Sequence, residues 1–331
     1  MSERSRREFL CATGGTVAPT VLALNQSSQR EDRGDWTVVE TPTQRTLHDV
    51  ADTTTGAFAV GSNGLVLERG DDGWSVVTDA GPTGNGNNLS SAATTTDGQR
   101  LWMAGASGVV GEYDPEADAL TSRSAPDGVT NTFTDVAVTG PAGDATVYLV
   151  DSSGHVHRSE ANGREGTWTH TTPGSGAEIA AITVVGTTGF LVDQNGSLFE
   201  TTDGETWTSV DATAFDETLH DVELRASETV VLAGASGTVA IGSGGEWEQE
   251  SAANDALNDV EVGDCGCVHA VGASGTVLHR RGHGTPPLRT LARAFDWWTR
   301  ASPIEENLNA VALGDPHVAV GASGTILERE H

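Results

Sequence analysis

The chain contains no lysine. All 18 of its basic residues are arginine, set against 47 Asp and Glu, for a net charge of −29. So few basic residues leave no extended basic face, and phosphate contacts need one, which disfavours nucleic acid as a partner. Long apolar runs are missing as well. The stretch from Cys11 to Leu24 is short and broken by Gly and Thr, so no confident membrane span is expected from it. Aromatic residues make up 5% of the chain and only two are tyrosines, Tyr113 and Tyr148; methionine occurs twice. Glycine is abundant instead, at 41 residues, clustered with Asp and Ser between short Val-, Thr- and Ala-rich runs. That alternation reads as an all-β chain with many turns.

From Asp35 onward the chain repeats with a period of about 43 residues, in the range of propeller blades. The last copy is the clearest: Val318-Ala-Val-Gly321-Ala-Ser-Gly324-Thr-Ile-Leu327 is an apolar strand, a tight turn and a second apolar strand. Its turn phrase recurs at Gly61–Gly64, Gly105–Gly108, Asp151–Gly154, Asp193–Gly196, Gly234–Gly237 and Gly272–Gly275. The closing Gly is present in every copy and is predicted to sit at positive φ in a hairpin turn. Upstream of the phrases lie alternating runs that begin at Leu47, Leu89, Phe133, Ile179, Leu219, Leu257 and Leu308. Downstream come runs headed by Trp74, Trp168, Trp207, Trp247 and Trp298, with Leu120 in that place in the second copy. Four antiparallel strands per repeat make a propeller blade.

The last copy stops after its third strand, and the missing Trp strand stands at the other end, in Asp35-Trp36-Thr-Val-Val-Glu-Thr-Pro42. The expected fold is therefore a seven-bladed β-propeller of four-stranded antiparallel blades over residues 35–331, its ring closed by an N-terminal strand. Closure removes the open ends that a linear array would have to cap.

Ahead of the repeats, Ser5-Arg6-Arg7-Glu8-Phe9-Leu10 and the mildly apolar stretch after it describe a twin-arginine export signal over residues 1–24. Val21-Leu22-Ala23 is a tolerable cleavage site, and retention would instead anchor the chain to a membrane. Residues 25–34 read as a polar linker. The expected location is extracellular, or membrane-anchored on the outer face. A domain so acidic repels itself in dilute buffer, whereas at molar salt the screening length falls to about 3 Å. An acidic, lysine-free surface resembles those of proteins from extreme halophiles.

The phrase A-V-G-x-S-G-T-[IV]-L followed by D-G-x-T-W resembles repeats of the photosystem II stability/assembly factor family. It is also similar to BNR or Asp-box propellers, a group that includes sialidases. Thr202-Asp203-Gly204-Glu205-Thr206-Trp207 is the closest Asp box, with looser matches at Gly70–Trp74 and Gly244–Trp247. The resemblance implies an exported scaffold or binding protein in which the Asp of each box ties its own turn. Sialidase-type catalysis would need a nucleophilic Tyr, clustered arginines and an acid/base carboxylate. Here both tyrosines fall in or beside strand phrases and the arginines are scattered. The expected function is thus a non-catalytic binding or scaffold module for an extracytoplasmic protein, or less readily a glycan, using no cofactor or metal. The alternative is a sialidase-like glycoside hydrolase.

Three further features could carry chemistry. The Asp of L-x-D-V recurs as Asp49, Asp135, Asp221 and Asp259 on the innermost strands. A ring of carboxylates there could hold a cation such as Ca²⁺, although a residue repeated from blade to blade serves the blades first. His48 and His220, beside two of these aspartates, are expected to be structural or surface histidines. Cys265-Gly266-Cys267, in an exported chain, is a candidate disulfide or a pair of small turn residues. The sixth repeat carries an insertion, 281–296, in which Leu288, Leu291, Ala292 and Phe295 mark one face of a short helix and Arg289, Arg293 and Asp296 the other. It either covers its own blade or, with Arg281, Arg289, Arg293, Phe295 and Trp297, forms a docking surface on the same blade and face as the Cys265/Cys267 turn.

Overall fold

The computed structural model describes residues 35–210, 217–225, 229–243, 246–263, 266–280, 297–299 and 302–330. The proposed signal and linker, Cys265 and the insertion 281–296 lie outside these residues.

Seven four-stranded antiparallel sheets follow one another along the chain. Their innermost strands are Leu47–Thr53, Leu89–Thr94, Phe133–Thr139, Ile179–Val185, Leu219–Arg225, Leu257–Val262 and Leu308–Ala312. The first six blades are continuous in sequence. The seventh takes its outer strand from the N-terminal side: Thr37 pairs with Glu328 and Val38 with Leu327, and Val39 N–H donates to the Ile326 carbonyl at 3.1 Å. Trp36 anchors the junction, buried among Val271, Val277, Leu308, Val311, Ala319 and Leu327 of the sixth and seventh blades. Glu328 then ties the last blade to the first, accepting from the Arg69 guanidinium and, at 2.9 Å, from the Trp74 indole.

The turn between second and third strands explains why two glycines recur in it. In the last copy Ser323 and Gly324 sit at φ 57° and 73°, consecutive left-handed residues that suit the twist of a hairpin. A Cβ on Gly324 would also lie 2.3 Å from the Thr43 carbonyl oxygen. Gly321 has an extended φ, so its requirement is space alone: a Cβ there would meet the Asn307 carbonyl oxygen at 2.1 Å. The phrase is therefore both a turn and the contact by which each hairpin packs on the chain entering a blade.

Every innermost strand carries a bulge at the same place, between Leu47 and Asp49 and at the equivalent positions of the other six blades. A bulge re-aims the side chains beside it, and here these are the two residues after each leading apolar position.

The sixth blade corrects one assignment. Arg280 pairs with Trp297, as Arg69 pairs with Trp74, so Trp297 rather than Trp298 is the counterpart of the blade tryptophans. Trp297 packs against the buried cluster of Val231, Ile241, Val268 and Leu278.

The closing strand should matter more than anything before it. Deleting residues 35–42 should lower the thermal midpoint far more than deleting 1–30, and Trp36→Ala alone should cost about 3–5 kcal/mol in chemical denaturation. Equal effects of the two deletions would contradict closure by this strand.

Candidate functional site

Among the described residues, three junctions between innermost strands carry a two-residue clasp that the bulge makes possible, and two more carry one arm of it. The aspartate accepts the backbone N–H of the next blade: Asp49 from Ala92 at 2.7 Å, Asp135 from Ile182 at 2.8 Å, Asp221 from Val260 at 2.8 Å and Asp259 from Val311 at 2.7 Å. In the third, fifth and sixth blades the residue before it donates to a carbonyl of that same neighbour. Thr134 donates to Ile179, His220 to Leu257 and Asn258 to Leu308, and Asn309 closes the ring onto Leu47. The repeated aspartates thus serve the blades, and His220 is one arm of a clasp. His48 instead bonds the Ser62 hydroxyl within its own blade, at 3.1 Å.

These strands enclose an axial cavity of about 400 Å³. Seven carboxylates line it, those of Asp49, Asp52, Asp135, Asp221, Glu223, Asp259 and Glu261, and no Arg or His is among the described residues of its wall. Glu223 and Glu261 were not foreseen from the sequence. The signal was available, because residues two apart on a strand share a face, so the Glu of D-V-E follows its Asp into the channel.

Ringed by protein and held close to one another, these acids are pushed toward their protonated forms. Burial lifts Asp49 to about 7, against the opposing Ala92 N–H, and lifts Asp135 to about 6. Asp52 is likewise raised to about 6, with the Gly314 N–H pulling the other way. Burial and then the Asp221 charge raise Glu261 to about 8. Glu223 is pushed well up by burial and by Glu261, and Asp259 by burial and by Asp221. Burial likewise raises Asp221, against the Val260 N–H that it accepts. Glu223 accepts only a long 3.4 Å bond from Thr183, and the Glu261 carboxylate has no hydrogen-bond donor among the described residues. The clasp aspartates have their oxygens committed to backbone, so Glu223 and Glu261 are the channel groups open to a cation.

The other candidates fall elsewhere. Tyr113 is buried and donates to Asp118 at 2.8 Å, and burial raises its phenol. Tyr148 is buried with its hydroxyl accepting from Arg158 at 3.3 Å. Asp203 of the best Asp box accepts from the Thr206 and Glu205 N–H groups, which hold its carboxyl down to about 2, so it does tie its own turn. Cys267 is disulfide-bonded; Cys265, the partner that the sequence offers, is outside the described residues, as are Arg281, Arg289, Arg293 and Phe295. A second cavity, of about 470 Å³, lies between the third and fourth blades. Its Arg158 is already paired with Glu160 and Glu205.

The fold and this axial channel define a seven-bladed β-propeller. No protein-family model and no curated protein matches the sequence. Among solved structures, YCF48 bound to a D1 peptide is 14% identical with a TM-score of 0.69, covering 91% of this chain and 96% of its own. YCF48 from Cyanidioschyzon merolae is 16% identical, TM-score 0.67, over 89% and 98%. Virginiamycin B lyase from Staphylococcus aureus is 10% identical, TM-score 0.71, over 90% and 99%. At these identities the likeness is one of fold. The same fold holds a peptide in one of these proteins and is a lyase in another, so function has to be argued from the site.

A raised carboxylate pKa makes the folded state bind more protons than the unfolded one. The stability it leaves intact below about pH 4 is lost as pH rises through the folded values of about 6 to 8. Asp151 and Asp203, both lowered, titrate below that window, and His48, lowered by burial, opposes it as a single group. At constant molar salt the thermal midpoint should fall between pH 5 and pH 8, and Glu223→Gln with Glu261→Gln should remove much of the fall. A midpoint that rises over this interval would contradict the assignment.

Proposed function

We propose that the chain is an exported, non-catalytic binding propeller that docks an extracytoplasmic protein, taking a positively charged segment of it at the acidic channel. The observation that carries this reading is the channel wall, with seven carboxylates and no basic side chain among its described residues. At molar ionic strength surface charges lose their reach within about 3 Å, while a cation that enters the channel displaces the protons of Glu223 and Glu261 and pairs with the carboxylates so formed, where salt screens much less. A partner recognised in strong salt would therefore be read by Glu223 and Glu261 rather than by the acidic exterior. YCF48 bound to a D1 peptide supports the general idea that a propeller of this build can hold a peptide. Export is supported by the Ser5–Leu10 motif, and a halophilic setting by the net charge of −29 without lysine.

The glycoside hydrolase reading would require a tyrosine nucleophile and an arginine cluster at the channel. Both tyrosines are instead buried, with their hydroxyls engaged, and the wall's described residues include no arginine.

The test is capture from the native envelope in molar salt on the immobilised chain. Wild type should retain a partner that Glu223→Gln/Glu261→Gln releases. A partner kept by that variant and lost on deleting residues 281–296 would move docking to the insertion, and turnover of fluorogenic glycosides would favour the hydrolase. In a separate check, lowering salt from molar to millimolar should unfold or aggregate the chain; indifference to salt would contradict the halophilic setting.

A further inference from the structure

The third blade departs from its neighbours in a way unrelated to the channel. Its turn phrase continues as Asp151-Ser-Ser-Gly154-His155-Val156-His157, and the fourth blade has Asp193-Gln-Asn-Gly196-Ser197-Leu198-Phe199 at the same positions. The two turns are built alike. Asp151 Oδ1 accepts the N–H groups of Ser153 and His155 at 2.9 and 3.0 Å, and Asp193 Oδ1 accepts those of Asn195 and Ser197, both at 2.9 Å. The strand register agrees too, with Leu149 opposite His157 and Leu191 opposite Phe199. Serine and phenylalanine thus suffice for the turn, and the histidines are surplus to it.

In the third blade these extra groups converge. His157 Nε2 lies 2.9 Å from Asp151 Oδ2, and His155 Nδ1 is 3.2 Å from each oxygen of that carboxylate. One donor atom from each of the three residues falls within 4.8 Å of the others. Asp151 is fully buried and His157 nearly so, while the His155 side chain is 31% exposed, which leaves the group reachable from solvent. His170, exposed on the outer strand directly across from His157, places its ring centroid 5.8 Å from that of His155 and 5.9 Å from that of His157. The Asn131 amide donates to Asp151 Oδ2 at 2.7 Å and fixes the carboxylate's orientation.

We propose that Asp151, His155 and His157 form a binding site for a divalent first-row transition metal of the Zn²⁺ or Co²⁺ kind. Two imidazole nitrogens and one carboxylate oxygen are the donor set that such borderline ions take, whereas Ca²⁺ and Mg²⁺ seek oxygen alone. A tetrahedral ion with bonds of about 2.0–2.2 Å needs its ligand atoms about 3.3 Å apart, close to the 3.2 and 2.9 Å that separate Asp151 Oδ2 from the His155 and His157 nitrogens. Replacing two imidazole N–H donors by one cation leaves the other partners of Asp151 in place: the two backbone N–H groups and the Asn131 amide. That amide is the outer-sphere contact that orients a metal-bound carboxylate. The remaining position belongs to His170 or to water. The site is independent of the channel and of any partner bound there.

The test is a Co²⁺ titration of the untagged, metal-stripped full chain in molar salt, with millimolar Mg²⁺ present to occupy ordinary carboxylates. One equivalent should bind, with the visible absorption of low-coordinate Co²⁺, and Zn²⁺ should displace it. His155→Ser and His157→Phe, the residues the fourth blade tolerates, should each weaken binding by about hundredfold, and Asn131→Ala by about tenfold, as an outer-sphere change does. Loss of affinity in His170→Ala assigns the fourth ligand to His170, and no change assigns it to water. Absence of the absorption band, or a band that survives the His155→Ser/His157→Phe double variant folded as judged by circular dichroism, would overturn the site.

Discussion

The inner ring depends on a carboxylate that bridges two blades. A propeller's innermost strands present one edge to the axis, and unpaired backbone groups there would be costly. The bulge in each strand turns the following side chains sideways, and aspartate then takes the N–H of the next blade while its neighbour in sequence takes a carbonyl. A single carboxylate can also accept from its own strand, as Asp49 does from Val50 and Asp135 from Val136, both at 2.7 Å. One short side chain therefore fixes the bulge, the blade and the step to the next blade.

The clasp has an electrostatic consequence. Linking blades with aspartate crowds like charges around an axis of low dielectric, and proton uptake is the least costly response. The crowding is uneven. Ser91, Ala181 and Ala310 take the aspartate position in the second, fourth and seventh blades, whereas the fifth and sixth blades contribute Asp221, Glu223, Asp259 and Glu261 together. Glu223 and Glu261 make no clasp with a neighbouring backbone. They sit where the aspartates have already raised the cost of negative charge, which is where an arriving cation would gain most.

What could be read from the sequence followed from repetition. The blade count was legible because the closing glycine of each turn sits at positive φ in all seven copies, so the phrase persists while other residues drift. The closing strand was legible because a Trp-headed run was missing at one end and present at the other. The sixth-blade register was not, because Trp297 and Trp298 are adjacent and only cross-strand pairing with Arg280 separates them. The clasp was half legible: the aspartates stood out, but their partners are backbone groups about one repeat away, which carry no side-chain signature.

The histidine cluster shows why the rest was hidden. His155 and His157 stand four and six residues after Asp151 and look local, but His170 and Asn131 join them only through strand pairing and the approach to the first strand of the same blade. In a chain of repeats the informative comparison is between blades. Where seven copies agree, the residues hold the fold together; where one departs without altering its backbone, stability does not account for the change. Asp151 and Asp193 make the same turn, so the imidazoles beside one and the serine and phenylalanine beside the other isolate what the third blade adds: nitrogen donors arranged around a carboxylate that the turn had already fixed.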